Sequence, residues 1–489
     1  MTDDTICAVS TPPGTGGIAV VRVSGSDAVA IVDKVWRGKS LSHVASHTAH
    51  LGEIVEENGE VLDQAVATVF RAPKSFTGED VVELSVHGSR WIQREVVNLL
   101  VRSGCRTAMP GEFTRRAYAS GRMDLAEAEA VADVIASSSR AAHRLAVSQM
   151  KGDFSRCLKE LRERLLELAS MLELELDFSE EEVEFASREA LMELAVQIHA
   201  TVSRLVKSFS TGSAIKSGIP VAIVGATNAG KSTLLNRLVG DNRAIVSDIH
   251  GTTRDIIEDM MEIDGLQFRL VDTAGLRDTD DVVESLGIER TMQQIDRASI
   301  VIWVVDSTSD CDEVADTWVR IRGRVPEEAH LIVAWNKSDA LASLSTRECD
   351  MALDAVSCTM SSDNAGGLPS TAFQPLLKDM DAFNGRMSEV HISAAKGSGM
   401  DKLCAALTSA SGIGEWQDTV VVTNARHYEA LVRSLESVSR VIEGLTSNLS
   451  GDFIAQDIRE TIHYLGEITG EITTDDILGT IFSRFCVGK

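Results

Sequence analysis

One eight-residue run constrains this chain more than any other feature. Gly225-Ala226-Thr227-Asn228-Ala229-Gly230-Lys231-Ser232 follows the apolar stretch Val221–Val224 and leads into Thr233-Leu234-Leu235-Asn236. The pattern G-x-x-x-x-G-K-S between a strand and a helix lets backbone N–H groups close around phosphate oxygens at the positive end of the helix. It predicts a phosphate loop. Lys231 is expected to reach the outer phosphates and the Ser232 hydroxyl to ligate Mg²⁺. A loop of this kind belongs to a parallel sheet with crossover helices. The apolar runs Phe268–Val271, Ile300–Val305 and Leu331–Trp335 alternate with helical stretches as such a sheet requires.

Three more short signals follow in order, each after an apolar run. Asp272-Thr273-Ala274-Gly275 is expected to reach the metal through water from Asp272 and to sense a γ-phosphate through the Gly275 N–H. In Asn336-Lys337-Ser338-Asp339, the Asp339 carboxylate can accept from guanine N1–H and the 2-amino group. Adenine offers neither donor, so this element selects GTP over ATP. Ser393-Ala394-Ala395-Lys396, after Val390–Ile392, reads as a loop against the guanine edge. Gly251-Thr252-Thr253-Arg254-Asp255 supplies hydroxyls able to complete Mg²⁺ coordination and to release when a γ-phosphate is lost. Leu276 stands where many GTPases place a glutamine to orient the attacking water. Another polar group must do this, and Arg277, Asp278, Asp280, Asp281 and Glu284 follow closely. The charge developing on phosphate needs a bound cation or an arginine from a partner.

The rest of the chain has a different texture. The first ~120 residues read as mixed α/β, with strands at Ile18–Val23 and Val81–Val86. Leu158, Leu161, Leu165, Leu168 and Leu172 recur at helical spacing, as do Leu191, Leu194, Ile198 and Leu205, and later Ile454, Ile458, Ile462 and Leu465. The α/β module is therefore expected to be inserted into a helical domain whose two halves pack together. The acidic run Glu180, Glu181, Glu182 and Glu184 reads as a solvated helix start rather than a metal site. Expected boundaries are 1–121, 122–217, 218–412 and 413–489. The expected fold class is multidomain α/β plus all-α, with a doubly wound, mostly parallel sheet in the inserted domain.

Composition removes some alternatives. With 73 acidic and 47 basic residues the formal charge is −26, so the chain does not coat nucleic acid by bulk charge. Its eight cysteines lack zinc-ligand or redox-pair spacing. The start, MTDDT, carries no secretory pattern, and no apolar run approaches the roughly 18 residues of a membrane helix. A cytoplasmic protein is expected.

The flanking motifs add a resemblance. Thr11-Pro12-Pro13-Gly14, Gly16-Gly17, Arg22-Val23-Ser24-Gly25, Ser75-Phe76-Thr77-Gly78-Glu79-Asp80, Pro110-Gly111-Glu112-Phe113-Thr114 and Asp124-Leu125-Ala126-Glu127-Ala128 are similar to the MnmE (TrmE) family of tRNA-modification GTPases. So are Gly466-Glu467-Ile468-Thr469-Gly470, Asp475-Asp476-Ile477-Leu478-Gly479 and Cys486-Val487-Gly488-Lys489. The resemblance spans the chain in the family's order. It implies a homodimer whose N-terminal domain binds a tetrahydrofolate derivative (5-formyl- or methylene-tetrahydrofolate). It further implies a heterotetramer with the flavoprotein MnmG that adds an aminomethyl or carboxymethylaminomethyl group to C5 of the wobble uridine of certain tRNAs. GTP hydrolysis would be K⁺-dependent.

By position the resemblance puts Arg22, Glu83, Arg122 and Lys489 around folate. Asn228, Ser247, Ile249 and Thr252 would surround K⁺, and Ser232 and Thr253 would hold Mg²⁺. Ala229, Gly230, Thr233, Asp248, His250, Gly251, Thr273 and Ala274 would complete the nucleotide contacts, with Lys337, Ala394 and Ala395 on the base side. Glu284 takes the role that Leu276 cannot fill. Cys486 becomes a candidate for the modification chemistry, its role left open. Two departures stand out: Ala226-Thr227 replaces the family's frequent Arg-Pro, and the segment between Asp339 and Ser393 is longer than usual, reading as a surface insertion. A GTP-controlled ribosome-assembly factor or signalling switch without base chemistry remains the alternative.

Overall fold

The apolar run ahead of the phosphate loop is the C-terminal part of a strand in a computed structural model of the protein. The structure describes residues 4–177, 188–241, 259–271, 295–309, 311–340, 386–412, 420–447, 449–483, 485 and 488. It separates into two compact units, one of residues 1–135, 146–203 and 429–489, the other of residues 136–145 and 204–428.

The first unit contains a seven-stranded sheet of β1 (Ile6–Val9), β2 (Ile18–Ser24), β3 (Trp36–Arg37), β4 (Thr48–Val55), β5 (Val61–Phe70), β6 (Val81–His87) and β7 (Arg106–Thr107), in the order β3-β4-β5-β6-β2-β1-β7. Only the β1–β7 pair is parallel. Alternation sets its faces: Ala19, Val21 and Val23 of β2 are buried while Ile18 is exposed. The helix Arg90–Ser103 sends Val96, Leu99 and Leu100 into the same core. Cys7 and Cys105, far apart in sequence, are both buried in this core.

The helical part of this unit follows the leucine spacing. Leu158, Leu161, Leu165, Leu168 and Leu172 of the helix Asp153–Asp177 are each at most 2% exposed. Full burial of each contributes about 1.5–3 kcal/mol. Their partner is the helix Gly451–Thr469, which buries Ile454, Ile458, Leu465 and Ile468, so the two helical segments from either side of the α/β module pack together. Tyr118 Oη donates to Gly470 O at 2.6 Å, tying the end of the second helix to Glu112–Ala119. No helix among the described residues is long and apolar enough to cross a membrane.

The second unit holds a six-stranded sheet of β8 (Ile219–Val224), β9 (Asp259–Ile263), β10 (Leu266–Leu270), β11 (Ile300–Asp306), β12 (His330–Asn336) and β13 (Met387–His391), ordered β13-β12-β11-β8-β10-β9. All pairs are parallel except β9–β10. That hairpin turns at Asp264-Gly265, both with positive φ (52° and 79°), the backbone of a two-residue Asp-Gly hairpin. The sheet is covered on both faces. Leu234, Leu235, Leu238, Leu403 and Leu407 pack on one, and Trp303, Trp318 and Ile321 belong to the other cluster.

Candidate nucleotide and N-terminal sites

The C-terminal ends of β8, β11 and β12 carry the functional loops, where ligands bind in open parallel sheets. β8 runs into Gly225, and the helix Lys231–Asp241 starts the return. Close approach explains the glycines. A Cβ on Gly225 would fall 2.3 Å from Val304 O, and one on Gly230 (φ +97°) 2.2 Å from Asn336 Nδ2. Asn228 adopts φ +63°, the left-handed conformation that asparagine tolerates better than most residues. Lys231 Nζ donates to Gly225 O (2.9 Å) and Ala226 O (2.8 Å), and burial lowers its pKa from the ordinary lysine value.

Asn336 connects this loop to the base-side loops. Its Nδ2 donates to Ala229 O at 2.8 Å, and its Oδ1 accepts from Ala394 N at 2.9 Å. The side chain is buried, so both bonds are made away from water. Ser338 N donates to Ile392 O, bringing the segment after β12 beside the start of the Ser393–Ala395 loop. Asp339 lies beside Lys396, with Nζ–Oδ2 3.1 Å. The Ser393 hydroxyl and then Lys396 hold its carboxyl below the usual aspartate value. Ala229, Asn336, Asp339, Ser393 and Ala394 are thus linked in one network of contacts, with Lys231 two residues beyond Ala229.

One positioning residue escapes the motif reading. Asp306, opposite Asn336 in the β11–β12 register, accepts from Lys337 Nζ at 2.6 Å. Burial works to raise its pKa, but Lys337 and the Thr308 amide and hydroxyl together bring it below the normal value. Lys337 itself has φ +61°, and the ion pair fixes where its stem lies. A carboxylate at the end of a parallel strand, level with the Asn-Lys pair, is the signal that finds it.

Several expected site residues lie outside the described residues: Ser247, Asp248, Ile249, His250, Gly251, Thr252, Thr253, Asp272, Thr273, Ala274, Gly275, Glu284, Cys486 and Lys489. Leu276 and the acidic run Glu180–Glu184 lie outside them too.

In the first unit, Arg22 and Glu83 face each other across β2 and β6, with Nε–Oε1 2.9 Å. The Arg22 guanidinium also sits 5.1 Å from the Phe76 ring centroid and 5.6 Å from that of Phe113. This is a paired cation packed against two aromatic rings, one of which, Phe113, is fully buried. Nearby, Ser24 Oγ lies 2.7 Å from Thr77 Oγ1 and donates to Glu79 Oε2 at 2.8 Å. Arg122 packs its Cγ against Gly78, where an added Cβ would lie 3.3 Å away. The tail reaches the same unit: Ser10 Oγ donates to Gly488 O at 3.1 Å.

A strand–phosphate loop–helix, a parallel sheet and an Asn336 link between phosphate and base loops define a P-loop protein of the GTPase class. The comparisons with known proteins take this further. Residues 5–122 match the family model described as GTP-binding protein TrmE N-terminus, and residues 125–486 match that of the MnmE helical domain. The tRNA modification GTPase MnmE of Parabacteroides distasonis is 50% identical over 99% of this chain and 100% of its own length. That of Bacteroides thetaiotaomicron is 48% identical over 100% of both, and that of Flavobacterium johnsoniae 44% over 99% of both. The chain belongs to the MnmE (TrmE) family.

Proposed function

We propose that the protein is a K⁺-dependent GTPase that acts in tRNA wobble-uridine modification. With a flavoprotein partner of the MnmG type it adds an aminomethyl or carboxymethylaminomethyl group to C5 of that base. The observation that carries the nucleotide part is the Asn336 link, because it joins the phosphate loop to the guanine-side loop through two buried hydrogen bonds. The full-length likeness to proteins named tRNA modification GTPase MnmE supports the tRNA part.

In this reading Lys231 and the loop amides hold the phosphates, and Asp339 reads guanine. Ser232 and Thr253 hold Mg²⁺, which neutralises phosphate charge. Asn228, Ser247, Ile249 and Thr252 hold K⁺ where other GTPases use an arginine. Glu284 positions the attacking water. The close approach at Gly225 and Gly230 and the Lys231 position favour a phosphate at this loop. Arg22, Glu83, Arg122 and Lys489 bind a tetrahydrofolate derivative, and the charged Arg22–Glu83 pair supports this. Cys486 belongs to the modification chemistry. The protein works as a cytoplasmic homodimer, with domains at 1–121, 122–217, 218–412 and 413–489.

The test is co-purification with the flavoprotein, followed by tRNA modification with GTP, K⁺ and folate. Modified wobble uridine that depends on all three supports the reading. GTP turnover with unmodified tRNA, both in this assay and in cells lacking the protein, would favour a GTP-controlled assembly factor or signalling switch.

A further inference from the structure

The second unit takes in residues 136–145, which lie far ahead of the phosphate loop in sequence. They dock on the β9–β10 hairpin. The helix Arg140–Met150 begins here, and its first turn has amide N–H groups with no intrahelical acceptor. Ser139, itself buried, serves one of them: its Oγ accepts from Ala142 N at 3.2 Å. The hairpin serves another. Ala141 N donates to Gly265 O at 3.0 Å, so the hairpin turn caps the helix. Just ahead of the helix, Ser138 Oγ donates to Gln267 Oε1 at 2.6 Å. Gln267 is 6% exposed, and a buried amide oxygen requires such a donor. Ala142 completes the dock in the apolar cluster that holds Ile263 and Leu266, with Ala141 and Leu145 packed against it.

The hairpin is the part of the sheet that most needs a hold. Among the described residues β9 pairs with β10 alone and lies at the sheet edge. A two-stranded ribbon is marginal by itself, and its register follows its turn. The turn is also held from the base side: Thr408 Oγ1, in the helix Met400–Ala410, donates to Asp264 Oδ2 at 3.0 Å.

In sequence the hairpin joins the two segments read above as responding to the γ-phosphate. Gly251–Asp255 precedes β9, and Asp272 follows β10 with Val271 between them. Val271 N donates to Val221 O at 3.0 Å, which fixes the end of β10 on the sheet. The β9 side has no second strand to fix it, so the hold on the turn matters most for the segment that carries Thr253.

We propose, on the roles given above to Thr253 and Asp272, that Ser138 and Gln267 are positioning residues for GTP hydrolysis. With the Ala141–Gly265 bond they hold the hairpin turn, and the turn sets where β9 presents the Thr253 segment. Residues 136–145 are then a working part of the GTPase module, although they precede it in the chain.

The test uses the full-length protein with GTP, Mg²⁺ and K⁺, well below its thermal midpoint. Ser138→Ala removes an exposed hydroxyl, Ser138→Thr keeps one, and Gln267→Leu removes the acceptor at similar volume. Turnover, KM for GTP and GDP affinity are measured, with hydrogen exchange of peptides covering 259–271.

Ser138→Ala should lower kcat about five-fold, the effect of one lost hydrogen bond, with KM and GDP affinity unchanged. Exchange across 259–271 should quicken, and Ser138→Thr should restore both. Ser138→Ala/Gln267→Leu should be no slower than Gln267→Leu alone, because both changes remove one bond. Unchanged kcat in both single variants overturns the proposal. So does a loss of kcat matched by a loss of GDP binding, or losses that add across the pair. An Asp272→Asn protein with full turnover overturns the site reading instead, and the exchange measurement still judges the hold on the hairpin.

Discussion

Asn336 and Ala229 are 107 positions apart, yet the amide of one donates to the carbonyl of the other at 2.8 Å inside the protein. The same side chain accepts from Ala394 N at 2.9 Å, so one residue sets the distance between phosphate loop and base loop. Asn336→Ala leaves a buried carbonyl and a buried amide unpaired. The expected loss is roughly 2–4 kcal/mol of stability. Urea unfolding measures it, and GTP affinity should fall in the same variant because the two loops lose their common anchor.

Acid should loosen the base side of this site. Asp306 is held below its ordinary pKa by Lys337 and Thr308 against the opposing effect of burial. Its contribution is complete above the unfolded value of about 3.9 and is lost as pH falls through the lower folded value. Asp306→Asn should therefore lower the thermal midpoint at pH 6, and the gap from the parent should narrow below about pH 4. A constant gap across that range would remove the ion pair with Lys337 as its cause.

The Arg22–Glu83 pair separates folding from binding. Arg22→Ala loses an ion pair and two aromatic contacts, an effect of about 1 kcal/mol on stability. Titration with 5-formyl-tetrahydrofolate should show binding abolished in a protein that still melts cooperatively. Retained affinity would contradict the assignment of Arg22 to folate.

Leu276 stands where a glutamine would orient the attacking water, and the proposed function gives that role to Glu284. Glu284→Ala should slow GTP turnover about 100-fold with GTP affinity unchanged. Exchanging K⁺ for Na⁺ should slow the parent protein by a similar factor. Equal turnover in the two salts would remove the cation reading of Asn228.

Much of the second unit's order was legible because β8, β11 and β12 are buried on both faces and read as apolar runs, whereas β13 exposes Glu389 and His391 and shows only its end, Val390–Ile392. Exact ends were not. Leu331–Trp335 was visible as a run, but the strand extends to His330 and Asn336, whose polar side chains hide their ladder positions. β9 was missed because Asp259, Met260, Met261, Glu262 and Ile263 alternate as an edge strand does, with Met261 and Ile263 buried. The Asp264-Gly265 pair was its signal. In the first unit the leucine spacing gave the long helices, while the Cys7–Cys105 neighbourhood could not be read. It depends on β1 and β7 pairing across about a hundred residues. The Arg22–Glu83 pair required the β2–β6 register, which periodicity alone does not supply.

The central claim is that phosphate is cradled at residues 225–232 and guanine is read by Asp339. Competition between GTP and ATP for the purified protein, repeated on Asp339→Asn with xanthosine triphosphate, tests it most directly. The account predicts GTP favoured over ATP by at least about 1,000-fold, with preference passing to the xanthine nucleotide in the variant. ATP binding as tightly as GTP, or an unaltered preference in the variant, would contradict it.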